Sequence, residues 1–359
     1  MKKKTDLVTA AAFCGFLFVM AALYFFLPQR DYSVQEKRYL AQAPEFDREA
    51  VLSGQWGDEA ETYLADHMPG RDFFVGLNAY FDLLTGRQPT KEIRVLGDRL
   101  VEAPAAGDRG EANMAAVNGF AETLQRNVDI MLIPSAGWAA GLEGCRDDGI
   151  LRRLYDLSGE GVTPVDVTAN YSGRPELYYR TDHHWTSQGA YLGYQAYASA
   201  KGIDFRPEED FEKETVEGFQ GSTYSRSALW LTPGEPLELW HGSDNLTVTN
   251  GETEEPHQGV FYRERLKEAD KYTVFLDGNH SVVRIRNPEK TGKLLVIRDS
   301  FSNCLGAFLA ESFGEVVLVD LRYYRQPVSQ LVGEEVFDGI LVCYSIGNFL
   351  TDTNLPMLR

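Results

Sequence analysis

The sequence predicts an α/β fold with a largely parallel sheet, carried behind an N-terminal apolar segment. Three observations lead there. From about Glu111 onward, short apolar runs alternate with stretches of helical spacing, the rhythm of strand–helix–strand units. The 359 residues are 43% hydrophobic and 25% charged, enough for a sizeable core. The run LVTAAAFCGFLFVMAALYFFL, residues 7–27, carries no charge and stands apart from everything after it.

That run is 21 residues long and follows Lys2, Lys3 and Lys4. The length suits a spanning helix and exceeds the roughly 7–15 residues of a signal-peptide core. The nearest A-x-A, Ala41-Gln42-Ala43, is too far downstream for an ordinary cleavage site. Lysines flanking a span stay cytoplasmic, which leaves the main domain outside. Residues 1–28 therefore read as an uncleaved signal anchor, single-pass in the cell membrane.

Residues 29–110 read as a connector and a helical region. DYSVQEKRYLAQAPEF is the polar connector, and QWGDEAETYLADHM and RDFFVGLNAYFDLLTG are helical patterns broken by Pro69-Gly70. The second pattern ends at Gly86, a C-cap signal. KEIRVLGDRLVEAP alternates like a strand pair around a Gly-Asp turn.

The α/β domain should occupy residues 111–359. EANMAAVNGFAETLQRN has helical spacing, VDIMLIP reads as a buried strand and GVTPVDVT as a second. SQGAYLGYQAYASAKG is a helix stopped by Gly202. KLLVIRD, EVVLVDL and DGILVCY are further strands, with SFSNCLGAFLAESFG a helix between the first two. The pattern fails over about residues 203–289, where alternating stretches such as YTVFLDG and SVVRIRN indicate a β-rich insertion covering one end of the sheet.

Charge excludes one class of partner. The net charge is -18, whereas nucleic acid calls for Lys/Arg-rich surfaces. Cys14 lies in the apolar run, and Cys145, Cys304 and Cys343 are scattered without a C-x-x-C pair, so they read as free thiols and not as a zinc knuckle.

Two segments carry candidate chemistry. In VIRDSFSNCLGAF an apolar strand ends at Arg298-Asp299 and a helix begins around Ser300. Strand carboxyl ends are where open α/β sheets bind ligands, and N–H groups of a helix start can hold an oxyanion. Taken alone, Ser300 reads more readily as a helix N-cap. TDHHW begins at Thr181, just before a helix. In an extended segment Asp182 and His184 face one way, and His183 and Trp185 the other. A carboxylate that orients an imidazole, which in turn deprotonates a serine, is a triad. Asp182, His183 and His184 also suit a metal. However, His67, His241, His257 and His280 supply no recognisable further ligand spacing. Metal-dependent phosphoesterases that contain DHH need further aspartate motifs that this sequence lacks.

YYRTDHHWTSQGAY resembles the signature of the DHHW family of bacterial extracytoplasmic proteins. These are similar to alginate O-acetylation proteins, in the wider SGNH hydrolase-like superfamily. DYSVQEKRYLAQAPEF, YLADHMPGRDFF, FLDGNHSVVRIRN, VIRDSFSN and VDLRYY continue the resemblance in order. It implies an SGNH-like three-layer α/β/α sandwich in which a D-x-H pair precedes the serine, a permuted triad order. Asp182 and His184 match that pair, and Ser300 matches the serine. Arg298 stands where those proteins usually have glycine. Arg322 in DLRYY is a candidate to stabilise negative charge. Asn303 and Asn348 are candidate oxyanion donors that read equally as turn caps. His183 and Trp185 are candidate substrate contacts, Trp185 reading also as helix packing.

The expected function is transfer or hydrolysis of O-acetyl groups on a cell-envelope or exported polysaccharide, with no cofactor or metal. An outward-facing domain cannot draw on free acetyl-CoA, so the resemblance implies a multipass membrane acyltransferase partner that supplies acetyl groups. The alternative, favoured by Arg298, is a non-catalytic polysaccharide-binding or assembly protein of the same fold.

Overall fold

Strands whose apolar run is continuous must be buried on both faces. The structure, a computed structural model, describes residues 2–33, 38–251 and 255–358. Residues 34–37 of the expected connector and the lysine side chains near the N-terminus lie outside the described part. Two units form, Met1–Thr90 with Ser225–Leu231, and Lys91–Tyr224 with Thr232–Arg359.

The larger unit is built on an eight-stranded sheet. Its strands are β1 (Val128–Ile133), β2 (Val162–Pro164), β3 (Thr247–Asn250), β4 (His257–Gln258), β5 (Val282–Arg286), β6 (Lys293–Arg298), β7 (Glu315–Val319) and β8 (Gly339–Ser345). They lie in the order β4-β3-β5-β7-β6-β8-β1-β2. Neighbours from β7 through β6, β8 and β1 to β2 pair in parallel. β5, β3 and β4 continue the sheet antiparallel. The expected mixed α/β fold with a large, mostly parallel sheet is the observed one.

Helices α1 (Gly110–Leu124), α2 (Asp147–Tyr155), α3 (Ser187–Lys201), α4 (Ser302–Leu309), α5 (Val328–Glu334) and α6 (Ile346–Thr351) cover the sheet. Successive strand residues feed opposite cores. Leu294, Val296, Leu318 and Leu341 join Tyr191 and Tyr194 of α3 and Leu305 and Phe308 of α4. Leu295, Ile297, Val317 and Val342 join Val117 of α1, Leu151 of α2, Leu331 of α5 and Phe349 of α6. Each such side chain contributes about 1.5–3 kcal/mol on burial.

This topology makes a crevice. After β6 the chain crosses to β7 on one side, while β8 pairs on the other. Such a reversal leaves space at the strand's carboxyl end. Ser300 lies there, in the turn between β6 and α4.

Three expectations are revised. The residue 203–289 region does not simply cover the sheet, because it contributes β3, β4 and β5 to it and adds a hairpin, Glu212–Phe219 with Glu235–His241. YTVFLDG is not a strand: Lys271–Val274 is a 3-10 turn, and Leu276, Asp277 and Gly278 follow at φ 57, 64 and 82°. Three successive left-handed residues cannot continue an extended chain. The helix expected from Ser300 begins at Ser302.

In the smaller unit, Lys2–Phe26 is one helix, and Asp6–Phe26 is long and apolar enough to cross a membrane. Helices Gln55–Asp66 and Arg71–Leu84 follow, separated by a turn with Gly70 at φ 70°. The expected strand pair, Ile93–Leu96 with Arg99–Glu102, falls in the larger unit.

α3 sits tightly on the 3-10 turn Pro175–Leu177 and the segment that leads from it into the helix. A Cβ on Gly189 would lie 2.4 Å from the Leu177 carbonyl oxygen and 2.8 Å from Trp185 Cβ. Gly189→Ala should therefore destabilise the protein by about 1–3 kcal/mol, read as a lowered urea midpoint. An unchanged midpoint would contradict this packing.

Candidate active site

The TDHHW segment is a bend, not an extended strand, and two devices fix its shape. Tyr178 and Trp185 close it by bridging across its base, where the Tyr179 N–H donates to the His184 carbonyl at 3.1 Å. The buried Glu235 carboxylate accepts from Arg180 N at 2.8 Å and from Thr181 N and Oγ1 at 2.7 and 2.5 Å.

Within the bend, Asp182 is 2% exposed. Its Oδ1 accepts from His184 N at 2.9 Å and from His184 Nδ1 at 2.5 Å, and its Oδ2 from Ser222 N at 2.5 Å. The last contact requires glycine at 221, where a Cβ would lie 2.2 Å from Asp182 Oδ2. Burial pushes the Asp182 pKa up. The His184 and His183 imidazoles, the His184 hydrogen bond and the Ser222 N–H outweigh it and hold the carboxyl well below the usual range.

With Nδ1 donating to Asp182, the neutral His184 ring presents Nε2 as an acceptor. Nε2 lies 2.8 Å from Ser300 Oγ, so the hydroxyl donates. Tyr272 stacks flat on the imidazole, with ring centroids 3.9 Å apart and 8° between planes. The structure thus brings together Asp182, His184 and Ser300.

The bend also places the other two residues of the motif. His183 does not point away from His184, as an extended segment would have it. Its ring lies beside that of His184, centroids 3.9 Å apart, with Nδ1 2.5 Å from Ser222 Oγ. Trp185 is completely buried. It stacks with Tyr171 and donates Nε1–H to the Phe301 carbonyl at 3.1 Å. It is therefore no wall for a substrate, and it ties the histidine bend to the serine turn.

The expected oxyanion donors are already engaged. Phe301 N donates to Asp299 Oδ1, Ser302 N to Asp299 O and Asn303 N to Ser300 O. Asn348 Nδ2 donates to Asp299 Oδ2 at 2.8 Å, as do Ser345 N and Oγ. Asn303 Oδ1 accepts from Arg298 at 2.7 Å, and its Nδ2 donates to Asn279 Oδ1 at 3.1 Å. Arg322 grips Asp320 through Nε at 2.9 Å and Nη2 at 2.6 Å, and it lines a cleft with Asp299 and Asn348.

Arg298 occupies the glycine position without strain, since its φ is not among the positive values. Its fully buried guanidinium donates to both Asn303 Oδ1 and Asn279 Oδ1, the latter at 3.1 Å. Burial lowers its pKa, and Asp320, 3.8 Å away, opposes that shift. Asn279 was not visible as a site residue from the sequence. With Oδ1 taken by two donors, its Nδ2 faces away from them and has no protein acceptor among the described residues. Glu235, Ser222 and Tyr272 were equally hidden, because each lies far along the chain and is of an ordinary residue type.

Asp182, His183 and His184 offer ligand atoms within 4.8 Å of one another, the only signal for a metal among the described residues. Both His184 nitrogens and His183 Nδ1 already hold hydrogen bonds, so an ion would have to displace them.

Residues 169–319 match the family described as DHHW protein. The fold is similar to that of a DHHW family protein from Eubacterium siraeum DSM 15702, with a TM-score of 0.65 and 21% identity, covering 74% of this chain and 93% of that one. It is also similar to Bacillus cereus PatB1 solved with a sulfonyl adduct, with a TM-score of 0.63 and 21% identity, covering 74% of this chain and 98% of that one. The "Probable alginate O-acetylase AlgJ" of Pseudomonas syringae pv. tomato is 22% identical over 209 residues, 52% of this chain. The chain spans about half, 53%, of that relative's length. The resemblance to DHHW and alginate O-acetylation proteins is borne out.

The Asp182 environment has a consequence for pH. A carboxyl whose pKa is lowered by folding stabilises the fold fully above its unfolded value, about 3.9, and loses that contribution as pH falls through the folded value. Asp182→Asn should be less stable than wild type at about pH 5, and the margin should shrink as pH falls below about 4. Urea unfolding across a pH series checks this. A margin undiminished at about pH 2 would contradict it.

Proposed function

We propose that the chain is an SGNH-like O-acetyltransferase or acetylesterase, a three-layer sandwich whose triad residues occur in the permuted order Asp182, His184, Ser300. One observation carries the reading: Ser300 Oγ and Asp182 Oδ1 flank the same imidazole at 2.8 and 2.5 Å, at the carboxyl end of β6. Proton transfer needs this hydrogen-bond reach. The similarity to a probable alginate O-acetylase supports the same class of chemistry.

Ser300 Oγ attacks the acetyl carbonyl carbon, and its proton passes to His184 Nε2. The resulting imidazolium is stabilised by Asp182, which stays ionised. The carbonyl oxygen becomes an oxyanion held by the Ser300 N–H and Asn279 Nδ2. As the carbonyl re-forms, the bond to the leaving oxygen breaks and His184 returns the proton to it. The acetyl group is now an ester of Ser300. A sugar hydroxyl, or water, then loses its proton to His184 and attacks that ester, and Ser300 leaves with the proton. Arg298 acts through Asn279 by pinning its carboxamide, so the departure from glycine gives no support to a non-catalytic reading.

The substrate class is a cell-envelope or exported polysaccharide. Lys2–Phe26 would be the membrane anchor, with the larger unit extracytoplasmic. A multipass membrane acyltransferase would supply the acetyl groups, since acetyl-CoA is not available on that side. Asp182 and His184 act here without a metal.

Hydrolysis of a chromogenic acetate ester tests the chemistry. Ser300→Ala should lower it by about 10³-fold or more, and adding His184→Ala should cost little further, because triad members act as a unit. Asn279→Ala should lower kcat by about 10²-fold. A chelator should change nothing. Chelator-sensitive cleavage that survives Ser300→Ala would sink the triad and favour metal chemistry at the same histidines.

A further inference from the structure

The smaller unit exposes an apolar face that the proposed reaction does not use. On helix Arg71–Leu84, Phe73, Leu77 and Phe81 recur every four residues and are 56%, 52% and 56% exposed. That spacing aligns them in one stripe, and Leu84 follows at its end. Trp230 stacks on Phe73, with centroids 5.6 Å apart and 24° between planes. It also fills the space over Gly76, where a Cβ would lie 1.8 Å from its ring. Leu231, held by its N–H to the Tyr80 hydroxyl at 2.7 Å, is 73% exposed. The same helix borders a cleft of about 350 Å³ lined by Phe74, Val75 and Ala79. A contiguous apolar surface of this kind marks an interaction site, unlike scattered single residues.

Attachment identifies the occupant. Just beyond the apolar helix, Gln29 accepts from the Tyr63 hydroxyl at 2.6 Å, and Arg30 pairs with Asp72 at 3.0 Å. Asp72 is in the first turn of helix Arg71–Leu84, next to Phe73. The stripe therefore starts where the apolar helix ends. If that helix crosses a bilayer, as the proposed function holds, Arg30 stands among the lipid headgroups. Phe, Trp, Tyr and Leu are the residues that settle at this depth. The helix carries only Arg71, Asp72 and Asp82 as charges, so no basic rim selects anionic lipid.

We propose that the Phe73–Leu77–Phe81 stripe, with Trp230 and Leu231, is seated in the interface of the same bilayer that the N-terminal helix crosses. Apolar burial holds it there, so a zwitterionic lipid suffices. The proposal rests on the anchored reading of residues 1–28.

The full chain reconstituted into phosphatidylcholine vesicles brominated on the upper acyl chain provides the test. Subtracting the fluorescence of Trp230→Phe isolates Trp230, whose emission should fall by about half or more, as expected of a ring at interfacial depth. Leu77→Asp with Phe81→Asp, both at exposed positions, should relieve most of that quenching and leave ester hydrolysis unchanged. Unquenched Trp230 in a chain that stays with the vesicles through an alkaline wash would overturn the proposal while sparing the anchor. Release of the chain by that wash would overturn both. Shielding of Trp230 in native membranes but not in pure vesicles would also overturn it, assigning the face to a protein partner.

Discussion

A buried, ionised carboxylate organises the centre of this protein. Placed alone in an apolar interior, Asp182 would take up a proton, because desolvation favours the neutral form. It is kept charged by donors to both oxygens, from His184 and from the Ser222 N–H. These contacts dictate much of the surrounding chain. Ser222 can reach Asp182 only because residue 221 has no side chain, and the bend that carries Asp182 keeps its shape because Glu235 holds Arg180 and Thr181. Once the carboxylate is fixed, the His184 tautomer is fixed with it, and Nε2 becomes the atom that faces Ser300.

The second half of the site is built from buried charge as well. Arg298 takes a position inside the sheet's end and is compensated by Asp320, which Arg322 also grips. Its donors set two asparagine carboxamides, one of which points its N–H groups away from the network. Trp185 joins the two halves by donating to the Phe301 carbonyl. The histidine bend and the serine turn thus depend on one shared element, the paired surfaces of α3 and α4 over the parallel strands. A rigid platform of this type suits chemistry that tolerates little misplacement.

Much of the sheet was readable in advance because its signal is local. Continuous runs such as VDIMLIP and KLLVIRD have no other way to be buried than between two layers. Asp182 and His184 were readable because two residues of one short segment can be matched without knowing the fold. What the sequence hid depends on long-range contact. Nothing near Tyr272 announces that it will lie on an imidazole, and its own stretch alternates like a strand while folding as a turn. Asn279 and Glu235 are polar residues in a region with no clear periodicity. Trp185 carried two readings, substrate contact and helix packing, and its complete burial decides for packing, since burial is a property of the fold and not of the tryptophan. Asn303 and Asn348 sit where oxyanion donors were expected, yet Asn279 Oδ1 and Asp299 Oδ2 accept from their Nδ2 groups.

The most direct measurement is of the covalent intermediate. Full-length protein mixed with an activated acetate ester and quenched in acid within the first turnover should carry one acetyl group, and peptide mass spectrometry should find it on Ser300. His184→Ala should accumulate little of it, because the serine would then keep its proton. An acetyl group found on His183, on a lysine or on no residue at all, while ester continues to be consumed, would contradict a serine nucleophile in this site.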